Sequence, residues 1–572
     1  MQPLRGLVGL SLLLALPCLA QDSEPLRVSG VPEEYREAFS QQLTRIQAPC
    51  SVSQARMRAV MNRNRDELRD LTRAAGNYRA SWEIEAQQLE NGCYQVAIEL
   101  QPGPRARYAS ADIQLIGAGA KDAALTQAVT DSPLRAGAAV DHARYERFKA
   151  DLARIANRRG YLDANYQTSQ LRVDPTANSA VAILHFQTGP RYSYGELLTE
   201  QSTITPELLQ RFSPIETGAP YSFDDIQTFQ QNLLNSRYFS SVVVRPLISE
   251  RSDGMVDVRL EAQPNDRWRY EAGLGVATDT GPSFSLGVDN RRVTAQGQRA
   301  SLGTTLSDTV KSGELSYAIP LQNPVSDRLQ WQFGYREEAT DSAIGRLVSV
   351  GVSRVTLRDS GWIRTTALDY SIEDSDISTQ DFTSQLLIPS IGWQRSVKEA
   401  GRRTMNGWRV SFDVHGSSSM AASDFDFAQT VFDAKYIMPL GGGRVLARTQ
   451  LGATWVEGVS LLPASLRFFA GGDNSIRGYN FDEVGPVDSL GQVVGGRHLA
   501  VGSLEFAWPI RENWDIALFA DGGNAFDDDQ FDWKQGAGLG VRWHSLIGTL
   551  RLDIAVNDEG DTRFHVFIGP EL

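Results

Sequence analysis

From residue 266 to residue 572, apolar and polar positions alternate in runs near ten residues, the period-two mark of strands with one apolar and one polar face. Trp268, Tyr270, Ala272, Leu274 and Val276 share one face, and Arg269 and Glu271 the other. Leu550, Leu552, Ile554 and Val556 oppose Arg551 and Asp553 in the same way. Runs of this length suit a tilted strand that crosses a bilayer. A water-soluble sandwich alternates too, but charge on the second face fits a wet interior. Trp268, Tyr270, Trp508, Trp514 and Trp543 near strand ends fit an interfacial girdle. The pattern predicts sixteen strands, beginning near 267, 282, 298, 311, 328, 345, 361, 382, 405, 427, 443, 498, 513, 534, 546 and 562. An even number is expected of a closed barrel.

Before the barrel, from about residue 25 to 265, one order of elements recurs three times at a period of about 80 residues: strand, two helices, two strands. In the first copy Leu26-Arg27-Val28 opens a strand, Glu33 to Ile46 and Val52 to Ala74 are helical, and Ser81 to Glu85 and Tyr94 to Leu100 alternate. The predicted divisions are a signal segment at 1–20, repeats at 21–105, 106–190 and 191–265, and the barrel at 266–572. The fold expected is therefore an α+β repeat region followed by an all-β, 16-stranded transmembrane barrel.

One stretch interrupts the alternation. The roughly forty residues from Glu457 are rich in Gly, Asp and Pro, and a structureless connection that long is usually functional or disordered. Within it, Ile476-Arg477-Gly478-Tyr479 sets a guanidinium beside a glycine and an aromatic, as suits a loop folded back into a confined polar space. A solvent-exposed turn with an incidental Arg is the alternative. Two strands that follow offer partners. By the period-two rule Glu505 and Asp521 lie opposite the apolar faces of Leu504, Phe506 and Trp508 and of Trp514, Ile516 and Leu518. If those apolar faces look at lipid, both carboxylates look into the lumen, where one Arg could bridge them.

Composition narrows the function. A net charge of −13 gives no broad basic surface for nucleic acid. Residues 1 to 20, with Arg5, an apolar run from Leu7 to Leu16, and Cys18-Leu19-Ala20, read as a secretory signal with cleavage after Ala20. A lipoprotein signal using Cys18 is disfavoured by Pro17. Cys50 and Cys93 remain, and an even pair in an exported chain predicts a disulfide, two buried free thiols being the alternative. The six His are scattered without ligand spacing, and neither a nucleophile elbow nor a phosphate-cradling glycine loop is present. No catalytic, cofactor or metal site is predicted.

The loop motif Ile476-Arg477-Gly478-Tyr479, followed by Phe519-Ala520-Asp521-Gly522-Gly523 and with Ser503-Leu504-Glu505 between them, resembles the superfamily of outer-membrane assembly and translocation barrels that includes the BamA, TamA and two-partner-secretion branches. The resemblance implies an inward-folded loop whose Arg477 contacts Asp521 and Glu505, with Phe519 and Gly523 closing the second motif. The recurring α+β unit is similar to the POTRA domain of that superfamily, and Arg159-Gly160-Tyr161-Leu162-Asp163-Ala164 to its helix-to-strand junction.

The terminal strands carry the expected mechanism. Trp268 to Val276 is long, whereas the strand of Phe564, Val566 and Ile568 is short and runs into Gly569-Pro570, where proline removes a ladder donor. A seam weak in hydrogen bonds can open sideways, and the resemblance implies a lateral gate for client strands; an ordinary closed barrel with a frayed end is the alternative. Three POTRA-like copies resemble the TamA branch. That implies insertion or translocation of autotransporters and other β-barrel clients without cofactors, with a large inner-membrane-anchored, TamB-like partner docking on the first copy. Transfer of membrane lipids to the outer membrane, or a passive channel whose conductance survives loss of residues 21–265, are the competing expectations.

Overall fold

A computed structural model describes residues 26–29, 53–88, 90, 94–399, 401–527, 531–545, 548–569 and 571. The signal segment, the helix expected at Glu33 to Ile46, and both Cys50 and Cys93 lie outside the described residues. The chain falls into two compact units: residues 1–195 with 217–224 and 248–257, and residues 196–216 with 225–247 and 258–572.

The first unit holds two small sheets. Strands β1 (Leu26–Ser29), β2 (Ser81–Gln88) and β3 (Tyr94–Gln101), with helix α1 (Gln54–Ala74), form a sheet of order β1-β3-β2. Strands β4 (Arg107–Ile116), β5 (Asn165–Asp174) and β6 (Ser179–Gln187), with α2 (Ala123–Thr130) and α3 (His142–Arg158), form a second of order β4-β6-β5. Asp141 starts α3 by accepting the Arg144 N–H at 3.0 Å, a side-chain cap for an otherwise unpaired helix donor. Tyr145, Phe148 and Leu152 recur on one face of α3 and are buried against Ala182, Leu184 and Phe186 of β6. This apolar helix stripe against the alternating residues of a central strand is what stabilises so small a layer pair. A third sheet has the order β7-β9-β8, from β7 (Ser193–Thr199), β8 (Phe239–Pro246) and β9 (Met255–Pro264), accompanied by α4 (Pro206–Phe212) and α5 (Phe223–Asn235).

The second unit contains a closed antiparallel barrel of sixteen strands. The first eight are β10 (Trp268–Ala277), β11 (Gly281–Asn290), β12 (Arg299–Ser307), β13 (Val310–Pro320), β14 (Asp327–Ala339), β15 (Ile344–Leu357), β16 (Ile363–Ile377) and β17 (Gln380–Lys398). The rest are β18 (Gly407–Ser417), β19 (Phe427–Leu440), β20 (Gly443–Val456), β21 (His498–Arg511), β22 (Trp514–Phe526), β23 (Lys534–His544), β24 (Thr549–Asn557) and β25 (Thr562–Gly569). Each begins within three residues of its expected start. The outer wall is apolar: Leu274, Leu302, Phe333, Leu504, Leu518 and Leu539 are all more than half exposed, as on the lipid-facing side of a transmembrane barrel. Trp508, Trp514 and Trp543 are exposed toward strand ends. Among the described residues no helix is long and apolar enough to cross a membrane.

Within this unit the segment before the barrel is tied to the turns at one end of it. Thr205 donates its N–H to Ala295 O at 2.9 Å, Tyr238 its hydroxyl to Gly297 O at 2.6 Å, and Arg211 a guanidinium N–H to Pro320 O at 2.9 Å. These contacts mark the end at which β10 enters.

The seam between β10 and β25 involves stagger as well as strand length. The last strand, at 8 residues, is the shortest of the sixteen. It pairs with β24 along its length, from Thr549↔Gly569 to Val556↔Thr562. Among the described residues it shares one pair with β10, Ala277↔Phe567, although β10 pairs with β11 from Trp268↔Asn290 to Ala277↔Gly281. Stagger is the reason: the final residues of β25 meet the final residues of β10, leaving Trp268 and Tyr270 beyond its reach. Pro570 lies outside the described residues.

Candidate functional site

The residues from 457 to 497 connect β20 to β21 and fold back into the barrel. Two short 3-10 turns, Val459–Leu461 and Ala464–Leu466, begin the descent. An apolar knot of Ala470, Ile476, Tyr479 and Val484 against Val501 and Ala525 fixes the loop to β21 and β22. Ile476 is fully buried. Gly478 has φ +104°, a conformation that side chains rarely adopt, and a Cβ there would sit 3.0 Å from the Asn557 backbone N.

These constraints aim Arg477 at three carboxylates. Its Nε and Nη2 donate to Asp521 Oδ2 and Oδ1 at 2.7 and 2.9 Å, a bidentate fork. Its Nη1 donates to Glu505 Oε2 and to Asp553 Oδ2, both at 3.0 Å, and its backbone N–H adds a bond of 3.1 Å to Asp521 Oδ2. The guanidinium lies 3.4 Å from the ring centroid of Phe519, so the aromatic of the second motif supplies a cation–π face. Arg477, Asp521, Glu505, Asp553 and Phe519 are all buried. Gly523 is paired with Val501 on the neighbouring strand, and the Tyr479 hydroxyl donates to Asp558.

Two members of this cluster were not anticipated from the sequence. Asp553 on β24 binds Arg477, and Arg542 on β23 donates to Glu505 Oε1 and Oε2 at 2.9 and 2.7 Å and also to Asp553. Alternation places both on the lumen face, since Trp543 and Ile554 beside them are exposed. What alternation does not give is the stagger between strands, which decides which lumenal carboxylate stands level with the loop.

A second knot joins the loop to the seam. Asp473 Oδ2 accepts the Thr278 N–H at 3.1 Å, its Oδ1 lies 2.7 Å from His565 Nδ1, and its own N–H donates to Asp279 Oδ2 at 2.7 Å. The donor atoms of Asp279, Asp473 and His565 all lie within 4.8 Å of one another, and hydrogen bonds to protein groups already engage Asp473 and His565. Asp279 sits in the turn between β10 and β11, where burial and the nearby Asp473 push its carboxyl up to about 7. Asp482, on the long loop, is likewise pushed up to about 7 by burial, with Glu338 and Asp279 adding to it.

The Omp85 superfamily domain profile matches residues 293–571. The chain is 25% identical over 360 residues to the outer membrane protein assembly factor BamA of Nitratidesulfovibrio vulgaris, spanning 59% of this chain and 45% of that protein. It is 23% identical over 454 residues to BamA of Neisseria meningitidis serogroup B, spanning 71% and 56%. The chain thus spans about half the length of the curated relatives it matches. Among solved structures, BamA from Haemophilus ducreyi lacking POTRA domains 1–3 aligns with a TM-score of 0.67 at 17% identity, covering 81% of this chain and 100% of that one. That likeness is one of fold.

Proposed function

We propose that this chain, whose residues 293–571 match the Omp85 superfamily domain profile, is a member of that superfamily that inserts or translocates β-barrel clients, autotransporters among them, as the outer-membrane subunit of a translocation and assembly module of the TamA kind. It is an outer-membrane barrel with periplasmic POTRA domains. The seam is the observation that carries the reading. Among the described residues a single pair, Ala277↔Phe567, joins the edges of a barrel whose other strands are paired along most of their length. An unpaired strand edge is a template for another strand, and presenting it toward the bilayer lets a client add residue by residue without an external energy source.

The assignment to the TamA branch rests on three three-stranded sheets preceding the barrel, read as POTRA domains at 21–105, 106–190 and 191–265. The first of them then docks a large inner-membrane-anchored, TamB-like partner. The test is in-cell photocrosslinking of the full-length protein from a probe at the exposed Glu85 of β2. Recovery of one large inner-membrane-anchored protein is expected. Recovery of assembly lipoproteins alone would move the chain to the BamA branch, and recovery of a secreted adhesin to two-partner secretion.

A further inference from the structure

We propose that the long loop, rather than β10, is what holds β25 in place, and that Asp473 is the pin by which the loop grips both edges of the seam. The inference rests on the reading of the seam as a gate.

The lumen face of β25 presents Arg563, His565 and Phe567 at alternate positions, level with Ala555, Asp553 and Arg551 of β24. The first two are engaged by the loop directly, and the third through Arg551 of β24. Arg563 donates to Glu483 Oε1 at 3.2 Å and also to Asn480. His565 Nε2 accepts the Gly478 N–H at 2.9 Å. That bond requires Nε2 to be the unprotonated nitrogen of a neutral ring, so Nδ1 carries the hydrogen and donates to Asp473 Oδ1. Phe567 packs under the Arg551 guanidinium at 4.2 Å, and Arg551 in turn donates to Asn474 Oδ1 at 2.7 Å. The loop therefore contacts β25 directly at Arg563 and His565, positions with no partner on β10 among the described residues, and reaches Phe567, the residue paired with Ala277, through Arg551.

Asp473 completes the grip from the opposite edge. The Thr278 N–H is shared between Val566 O at 2.9 Å and Asp473 Oδ2 at 3.1 Å, and the Val566 N–H donates to Thr278 Oγ1 at 2.5 Å. One buried carboxylate thus binds the residue that follows β10 and the imidazole of β25; Asp473 is 2% exposed and His565 4%. Four residues further on, Arg477 ties the same loop to β21, β22 and β24. Withdrawing the loop from the lumen releases both edges together. Cutting only the Asp473 contacts releases the seam while Arg477 stays anchored.

The test places nitroxides on the lipid-facing residues Leu274 and Phe564, which are 85% and 69% exposed, in full-length protein with its native cysteines replaced and reconstituted in nanodiscs. Pulsed electron resonance should give one narrow distance. Asp473→Ala and His565→Ala should each raise a second, longer population at least threefold, and the double variant should raise it by less than the two single effects combined, since the residues share one bond while each also makes one of its own. Asp473→Asn, which keeps the shape and one acceptor oxygen, serves if the alanine variant does not fold, and should give a smaller rise. Unchanged distance distributions in folded Asp473→Asn and His565→Ala barrels overturn the proposal. Client assembly measured on the same variants separates the two readings: a wider seam with unaltered assembly leaves the loop as the grip on β25 and removes the seam from the function.

Discussion

The backbone carbonyl of Arg477 occupies the space where Gly536 on β23 lacks a side chain; a Cβ on Gly536 would lie 1.8 Å from that oxygen. Loop and wall meet there backbone to backbone, so Gly536→Ala must lift the motif off the strand. Overpacking of this kind costs about 1–3 kcal/mol when side chains can adjust, and two backbones adjust less. The variant should show a lowered unfolding temperature in detergent and faster proteolysis between residues 457 and 497. Wild-type proteolysis would mean that the loop is not seated as described.

Arg477→Ala leaves Asp521, Glu505 and Asp553 buried with Arg542 as the remaining cation bonded to the cluster. Stranding buried charge this way costs about 3–5 kcal/mol, measurable as a lower denaturant midpoint of the folded barrel. Arg477→Lys should recover little of it, because an ammonium cannot make the fork to Asp521 and a bond to Glu505 and Asp553 at once. Full rescue by lysine would reduce the cluster to simple charge balance.

Stability should also fall as pH rises toward neutrality. The Asp279 and Asp482 carboxyls stand at about 7 in the folded protein against an ordinary value of 3.8. A raised acid binds its proton more tightly folded than unfolded, so its contribution is fully present below about pH 4 and lost as pH climbs through about 7. Thermal midpoints at pH 5 and pH 8 measure this difference, and Asp279→Asn should shrink it. An unchanged slope in that variant would place the dependence elsewhere.

Joining the edges covalently tests the gate. With the native cysteines removed, Ala277→Cys and Phe567→Cys should crosslink across the bridging pair, stop client assembly, and recover it on reduction. Normal assembly by the oxidised barrel would exclude lateral opening.

The barrel was legible because lipid on one side and water on the other force a strict period of two. Leu552 and Ile554 had to alternate with Arg551 and Asp553, and each strand could be placed to within a few residues. The meeting of Arg477 with Asp521 and Glu505 was legible through motifs and faces together. Arg542, Asp553, Asp473 and His565 were not, because each finds its partner through the stagger of strands far apart in the chain. The seam shows the same limit. Strand length pointed to this joint, but the stagger between β10 and β25, which no single strand's sequence shows, sets which few residues of the two edges meet.

Leu274, exposed on the outer wall, lies on β10, whose far edge meets β25 at Ala277↔Phe567. Among the described residues none from Trp268 to Val276 has a partner on β25, and every second one turns its N–H and C=O toward that side. An unmet amide in a bilayer costs several kcal/mol. The surrounding lipid therefore acts as a standing chemical drive: it penalises the bare edge, and the penalty falls with each residue of any antiparallel strand that comes to lie along it.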